Sequence, residues 1–142
     1  MAALTANRGF KRAGTVRRTT KVPLAANAVI FGGAIVALNA GGYAVPAADT
    51  AGLKVVGVNL GEKIDNTGGA NGARFVEVVE GDFDMVNASG AVTQASLLRP
   101  VHIADDQTVT TAAVAANDIV AGIAVDITST TVVVRFSADY GV

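Results

Sequence analysis

The 142-residue chain contains no cysteine and no tryptophan, only five Phe and two Tyr, three Pro and a single histidine, His102. Without cysteine there are no disulfides, no thiol chemistry and no thiolate-ligated zinc or iron–sulfur cluster, and the composition agrees with folding in a reducing cytoplasm. One histidine excludes within one subunit any scheme that needs two imidazoles or a His-rich metal site. So few aromatics leave little with which to line a deep ligand cleft. Hydrophobic residues still make up 51% of the chain and glycine contributes sixteen. Ala, Val and Gly dominate, and such small side chains suit thin sheets in close contact better than a large pocket. A chain of this length can bury a core without covalent staples.

The distribution of charge is the strongest signal. The first 48 residues hold Arg8, Lys11, Arg12, Arg17, Arg18 and Lys21 and no acid, whereas residues 49–142 hold five basic and twelve acidic residues. A formal net charge of −1 therefore conceals a cationic start and an anionic remainder, an arrangement suited to docking on a surface, including one made of copies of itself. Residues 1–20 show scattered Arg and Lys, two Gly and little periodicity, and are expected to form an extended basic arm, with the β domain spanning 21–142.

Ala25–Ala40 is an apolar stretch behind a basic segment, superficially like a secretory signal. The long basic region, the interruptions at Pro23 and Asn27, and the split at Gly32-Gly33 argue against export. The apolar run Ala28–Leu38 is too short for the ~20 residues that span a bilayer, so no membrane association is expected. An organelle transit peptide is disfavoured because an amphipathic helix is hard to draw through Gly9, Gly14 and Thr19-Thr20.

After the arm the punctuation predicts strands. Lys21–Leu24 and Ala34–Leu38 are candidates, with the turn Asn39-Ala40-Gly41-Gly42 leading back through Tyr43–Val45 to a stop at Pro46. Lys54–Leu60 is a Val-rich strand carrying Gly57, and residues 65–72 form a polar Gly/Asn loop. In Arg74–Val86 the odd positions Phe75, Val79, Phe83 and Met85 share a face and Glu80, Asp82 and Asp84 the other; Glu77 breaks the pattern, which predicts a bulge between Val78 and Gly81. Thr93–Leu98 reads as the one short helix, capped by Thr93 and ended by Pro100. Val101–Ala104 and Thr108–Thr110 flank a turn at Asp105-Asp106-Gln107, and Ala112–Asn117 is ambiguous between a short helix and a loop. Ile119, Ala121, Ile123, Val125 and Ile127 alternate cleanly, and a turn at Thr128–Thr130 returns through Thr131–Phe136. Eight to ten short strands with one short helix predict a mainly β fold, a small β-barrel or β-sandwich, β-tulip-like, with an extended N-terminal arm.

No constellation points to catalysis. Carboxylates on one strand face lie about 7 Å apart and need another segment to close a metal cage, so Glu80, Asp82, Asp84 and the pair Asp105-Asp106 are read as solvated acidic surface. His102 has no nucleophile motif around it, and Gly68–Gly72 lacks the Lys-Ser/Thr of a phosphate loop. The chain is expected to need no cofactor and not to be an enzyme. The basic arm, Arg8, Lys11, Arg12, Arg17, Arg18 and Lys21, reads either as a protein-docking arm that forks onto carboxylates, as a nucleic-acid tail, or as a solvated end. Aromatic interleaving is limited to Phe10, so direct DNA contact is disfavoured.

The opening Met1–Arg8, the segment Gly33–Ala47 and Gly52–Val58 resemble the small capsid cement, or head decoration, proteins of tailed bacteriophages. The resemblance continues through Asp65-Asn66, Gly69–Gly72, Glu80–Phe83, Asp105–Val109 and Ala121–Ile123. It implies a mainly β domain that assembles, usually as a trimer and alternatively as a dimer, on the outside of an icosahedral head, bridging major capsid protein subunits against the pressure of packaged DNA. The implied locations are the virion surface and, during assembly, the host cytoplasm. The basic arm would then contact acidic grooves of adjacent subunits while sheet edges meet around a symmetry axis.

Overall fold

The computed structural model describes residues 2–9 and 18–139, and its described residues form eleven strands. The 13-residue strand β7 (Phe75–Asn87) organises the rest. Its second half closes a five-stranded barrel with β8 (Pro100–Ile103), β9 (Thr108–Thr110), β10 (Val120–Ile127) and β11 (Thr131–Phe136), in the cyclic order β7-β11-β10-β8-β9. Every pairing in the barrel is antiparallel except β7 with β9. The first half of β7 belongs to a second sheet, ordered β1-β7-β5-β3-β4, with β1 (Arg18–Pro23), β3 (Ile35–Leu38), β4 (Ala44–Pro46) and β5 (Lys54–Asn59). A separate two-stranded ribbon pairs β2 (Val29–Ile30) with β6 (Ile64–Asp65). The small barrel expected from the sequence is the fold.

β1 and β11 lie end to end along β7: Arg18 is opposite Glu80, and Phe136 is opposite the next residue, Gly81. The register runs through without a shift, so the bulge expected between Val78 and Gly81 is not there. Glu77 breaks the hydrophobic alternation for another reason. The odd face of β7 lines the barrel core at Val79, Phe83 and Met85, but at Phe75 and Glu77 it has passed beyond the barrel and is exposed. The even residues Val76 and Val78 instead enter a second core.

That second core explains the apolar runs of the N-terminal half. Ile35 and Ala37 of β3 face the barrel core, while Ala34 and Val36 join Val22, Leu24, Ile30, Ala44, Val56, Val76 and Val78 on the far side. A sheet covered on both faces needs no polar alternation. Gly57, at φ +149°, sits beside an extra residue in β5, so that Val55 and Val58 both face the barrel and Val56 faces away. A Cβ there would lie 2.6 Å from the Val79 carbonyl oxygen.

Two expectations from periodicity need correction. The odd residues of β10 do not all share the core face: Ile119, Ala121 and Ala124 are buried in it, whereas Ile123 and Val125 are half-buried outside it. Irregularities at Ala121 opposite β8 and at Val125 opposite β11 shift the parity, the bends a narrow barrel requires to close. The helix expected over Thr93–Leu98 is a single 3-10 turn, Gln94–Ser96, without a side-chain cap from Thr93. A second such turn, Ala88–Gly90, precedes it, pinned by Asn87, whose amide exchanges bonds of 2.8 and 3.0 Å with the Val92 backbone.

The division expected at residue 20 falls inside β1, and residues 2–9 lie against the domain. The Leu4 N–H donates to Asp106 Oδ1 (2.9 Å), Gln107 Nε2 to the Ala2 carbonyl (2.6 Å), and the Arg8 N–H to the Gly32 carbonyl (2.7 Å), while Asn7 Oδ1 accepts from the Gly32 N–H (2.7 Å). Leu4 packs on the second core. Gly33, at φ +85°, allows the approach: a Cβ there would overlap the Arg8 side chain and come within 2.6 Å of its carbonyl oxygen.

Candidate functional site

The residues singled out for function meet on the even face of β7. Beyond Val76 and Val78 this face carries Glu80, Asp82 and Asp84 in succession. The sequence reading placed these carboxylates in solvent; the structure buries Glu80 and Asp84 to 3% and 5% exposure and leaves Asp82 half-buried. Carboxylates cannot be buried without partners, and each has an arginine from a different part of the chain. Arg18, directly across from Glu80, grips it with Nε–Oε2 at 2.7 Å and Nη2–Oε1 at 2.9 Å. Arg135, directly across from Asp82, makes the same fork at 2.9 and 3.2 Å. Arg8 reaches Asp84 from the docked segment, its Nη2 3.5 Å from Oδ2 and its Nη1 donating to the Asp84 carbonyl at 3.1 Å and meeting Met85 Sδ at 3.5 Å. Among the described residues the row holds three carboxylate–arginine pairs, two of them bidentate.

The chain beyond β11 seals the Glu80 end. The Ala138 N–H donates to Glu80 Oε1 at 2.5 Å, and Arg18 Nη2 also donates to Ser137 Oγ and Asp139 Oδ2, at 3.3 and 2.8 Å. Burial by itself pushes the Glu80 carboxyl upward, but the Ala138 N–H, Arg18 and Ser137 outweigh it and hold its pKa below the ordinary value. At the other end of the docked segment the balance reverses. Burial raises the Asp106 carboxyl, the Leu4 N–H offsets only part of this, and neighbouring Asp105 adds to the rise.

Of the six cationic residues proposed for docking, Lys11, Arg12 and Arg17 lie outside the described residues. Arg8 packs onto Asp84 of its own barrel with its side chain 17% exposed, and Arg18 pairs with Glu80 while its side chain stays 54% exposed. Lys21 is exposed, opposite Glu77, with Nζ 4.8 Å above the Phe75 ring. The basic stretch is therefore anchored at two points four residues apart on β7, through Arg8 on Asp84 and Arg18 on Glu80.

His102 of β8 is buried at 8% exposure, its Nε2 2.7 Å from Asp118 Oδ1; its Nδ1 and the hydroxyl of Thr110, its cross-strand partner, are buried without a hydrogen-bond partner. The Gly/Asn loop after β6 is a structural clasp, with Asn66 Nδ2 donating to the Ala25 and Ala70 carbonyls at 2.8 and 3.1 Å and Asn71 Oδ1 accepting from the Ala26 N–H at 2.8 Å. An open groove of about 440 Å³ between β5, β6 and β7 is lined by Asn59, Leu60, Gly61, Glu62, Ile64, Glu77 and Val79. Among the described residues no group of three or more His, Asp or Glu side chains could hold a metal ion, and no helix is long and apolar enough to cross a membrane.

Sequence reasoning passed over Leu4, Asn7, Asn59 and Asp49, which organise loops. Asn59, at 3% exposure in an otherwise Val-rich strand, donates to the Phe31 and Glu62 carbonyls at 3.2 and 2.9 Å. A lone amide in an apolar run was the available signal. Asp49 carried none, since its carboxylate receives the N–H groups of Ala116 and Asn117, 67 and 68 residues away, at 2.7 and 2.8 Å. Compared with models of protein families, with characterised proteins and with solved structures, the chain finds no match.

Proposed function

We propose that this chain is a structural virion protein that decorates and cements the head of a tailed bacteriophage, bridging major capsid protein subunits from outside as a homo-oligomer, with no catalytic role. The observation that carries the reading is where the resembling segments go. The opening residues, the Gly33 segment, the Asp82–Phe83 end of its strand motif and the Asp105-Asp106-Gln107 turn are remote in sequence, yet they converge: Leu4 on Asp106, Ala2 on Gln107, Arg8 against Gly33 and on Asp84 next to that motif. Short motifs that make one connected contact set carry more weight together than as separate matches. They describe an opening segment fastened to a β-barrel, and the resemblance ties that arrangement to shell decoration.

Fastening also changes how the arm would work. Arg8 and Arg18 are paired with carboxylates of the barrel, so shell contact would fall to Lys11, Arg12, Arg17, Lys21 and the outer faces of the domain. Binding to the intact lattice and not to dissociated subunits would stabilise the shell by mass action. The test is co-sedimentation of the purified chain with empty heads of the same virus that lack it. Saturable retention, with heads that survive hotter incubation, is the expected result; a chain left in the supernatant refutes the reading. The alternative, nucleic-acid binding through the basic residues, loses two of its six cations to internal carboxylates. It would require salt-sensitive retention on DNA through Lys11, Arg12, Arg17 and Lys21.

A further inference from the structure

Among the described residues the two most exposed large apolar side chains are Leu98 and Val114, at 67% and 60%. They lie on loops that leave the same end of the barrel. Leu98 precedes β8 by two residues and Val114 follows β9 by four, and these strands are antiparallel, with His102 opposite Thr110. Val114 belongs to the five-residue apolar run Ala112–Ala116, of which Ala112, Ala113, Val114 and Ala116 are exposed. An exposed run of this kind is avoided on a surface that meets only water.

Neither loop is slack. Asp49 clamps the Ala116 and Asn117 N–H groups, and Asp118 holds His102 at 2.7 Å. Leu98 adopts φ +57°, a conformation a bulky side chain rarely takes, and its N–H is tied to the Ala124 carbonyl at 2.7 Å. The fold thus holds a strained backbone rigidly in order to show a leucine to solvent. The exposed charges at the margin are of opposite sign, Arg99 beside Leu98 and Asp118 at the end of the Val114 loop.

We infer that this end of the barrel, centred on Leu98 and Val114, is the contact between copies of this chain. Residues near a symmetry axis meet their own images, and an uncharged run of small side chains tolerates that where a charged surface would not. Arg99 of one copy and Asp118 of another supply complementary rim charges. The inference deepens the proposal above by locating the contact between copies, and it stands without the capsid.

The experiment is sedimentation velocity on the full-length protein with Leu98→Asn and Val114→Asp variants, alongside thermal melts. Asparagine accepts the left-handed backbone, so Leu98→Asn removes the apolar knob without strain. A wild type heavier than the 14.2 kDa monomer is expected, with dissociation constants raised about tenfold or more in each variant and no loss of folded signal. A wild type that stays at monomer mass at about 100 µM, or variants that keep the wild-type mass, overturn it. Variants that remain oligomeric but no longer bind heads would assign this surface to the shell and also overturn it. Loss of oligomer in the variants, with wild type that never binds heads, leaves this inference standing and removes the decoration role.

Discussion

Replacing Arg8 by alanine tests whether the opening segment is part of the fold. The Arg8 side chain is 17% exposed and that of Asp84 7%, so the substitution takes a cation away from a carboxylate that water barely reaches. Breaking a fully buried pair in this way costs about 3–5 kcal/mol. The 3.5 Å separation and the residual exposure of Arg8 place this site lower, at about 2–3 kcal/mol, equivalent to a fall in Tm of roughly 5–10 °C for a domain of this size. Urea and thermal melts followed by circular dichroism would measure it, repeated in an Asp84→Asn background. There the carboxylate that Arg8 faces is gone and the same substitution should cost about 1 kcal/mol, leaving a coupling of at least about 1 kcal/mol. Lysine should not restore the loss, because one guanidinium serves the Asp84 carboxylate, its carbonyl and the Met85 sulfur together. A single-substitution effect below about 0.5 kcal/mol, or strict additivity in the cycle, would refute the view that Arg8 is an internal fastener.

Other substitutions probe the remaining joints. Gly122→Ala should destabilise strongly, by about 3 kcal/mol in the same melts, because its Cβ would overlap the Arg135 carbonyl oxygen at the β10–β11 seam. Gly33→Ala should release the opening segment, read as new protease cleavage near residues 2–9 with the barrel left intact. The pH dependence has two opposed parts. Glu80, lowered in the folded state, contributes stability that is present above its ordinary pKa and lost as pH falls through the folded value, so Glu80→Gln should flatten the acid limb of a Tm-against-pH curve. Asp106, raised in the folded state, works the other way: stability is gained as pH falls through its raised value. Asp106→Asn keeps an acceptor for the Leu4 N–H and should match or exceed the wild-type Tm at neutral pH while losing that gain.

The barrel was legible because its strands obey local rules. The Asn39–Gly42 turn is written in its residues, with Asn39 Oδ1 accepting from Gly41 and Tyr43 and Gly42 at φ +85°. The odd face of β7 reads directly into the core at Phe83 and Met85, both fully buried. Long-range pairing was not legible. Glu80, Asp82 and Asp84 on alternate positions look the same in sequence whether they face water or three arginines, and only Arg8, Arg18 and Arg135, dozens of residues away along the chain, decide between the two. The parity shifts in β10 were hidden as well, because an alternating run of Ile, Ala and Val tolerates an extra residue without changing its composition.

The charge split acquires a different meaning once these contacts are known. Read as a sequence, a cationic start and an anionic remainder describe a tail and a body with separate partners. In the folded chain Arg8 and Arg18 neutralise Asp84 and Glu80 on β7, so part of the asymmetry is an internal joint distributed along the sequence. The joint also fixes geometry. Asp84 and Glu80 are four residues apart on one strand, about 13 Å at an ordinary strand rise, which sets the spacing of the Arg8 and Arg18 anchors along β7. Deleting residues 1–20 removes the first part of β1 along with the arginine partners of Asp84 and Glu80, and a loss of head binding in that truncation would report unfolding as readily as docking. Charge reversal at Lys11, Arg12 and Arg17, with Arg8 and Arg18 retained, separates the two. Retention on heads should fall in a variant whose circular dichroism still reports a folded barrel; unchanged retention would shift the shell contact to the outer faces of the barrel.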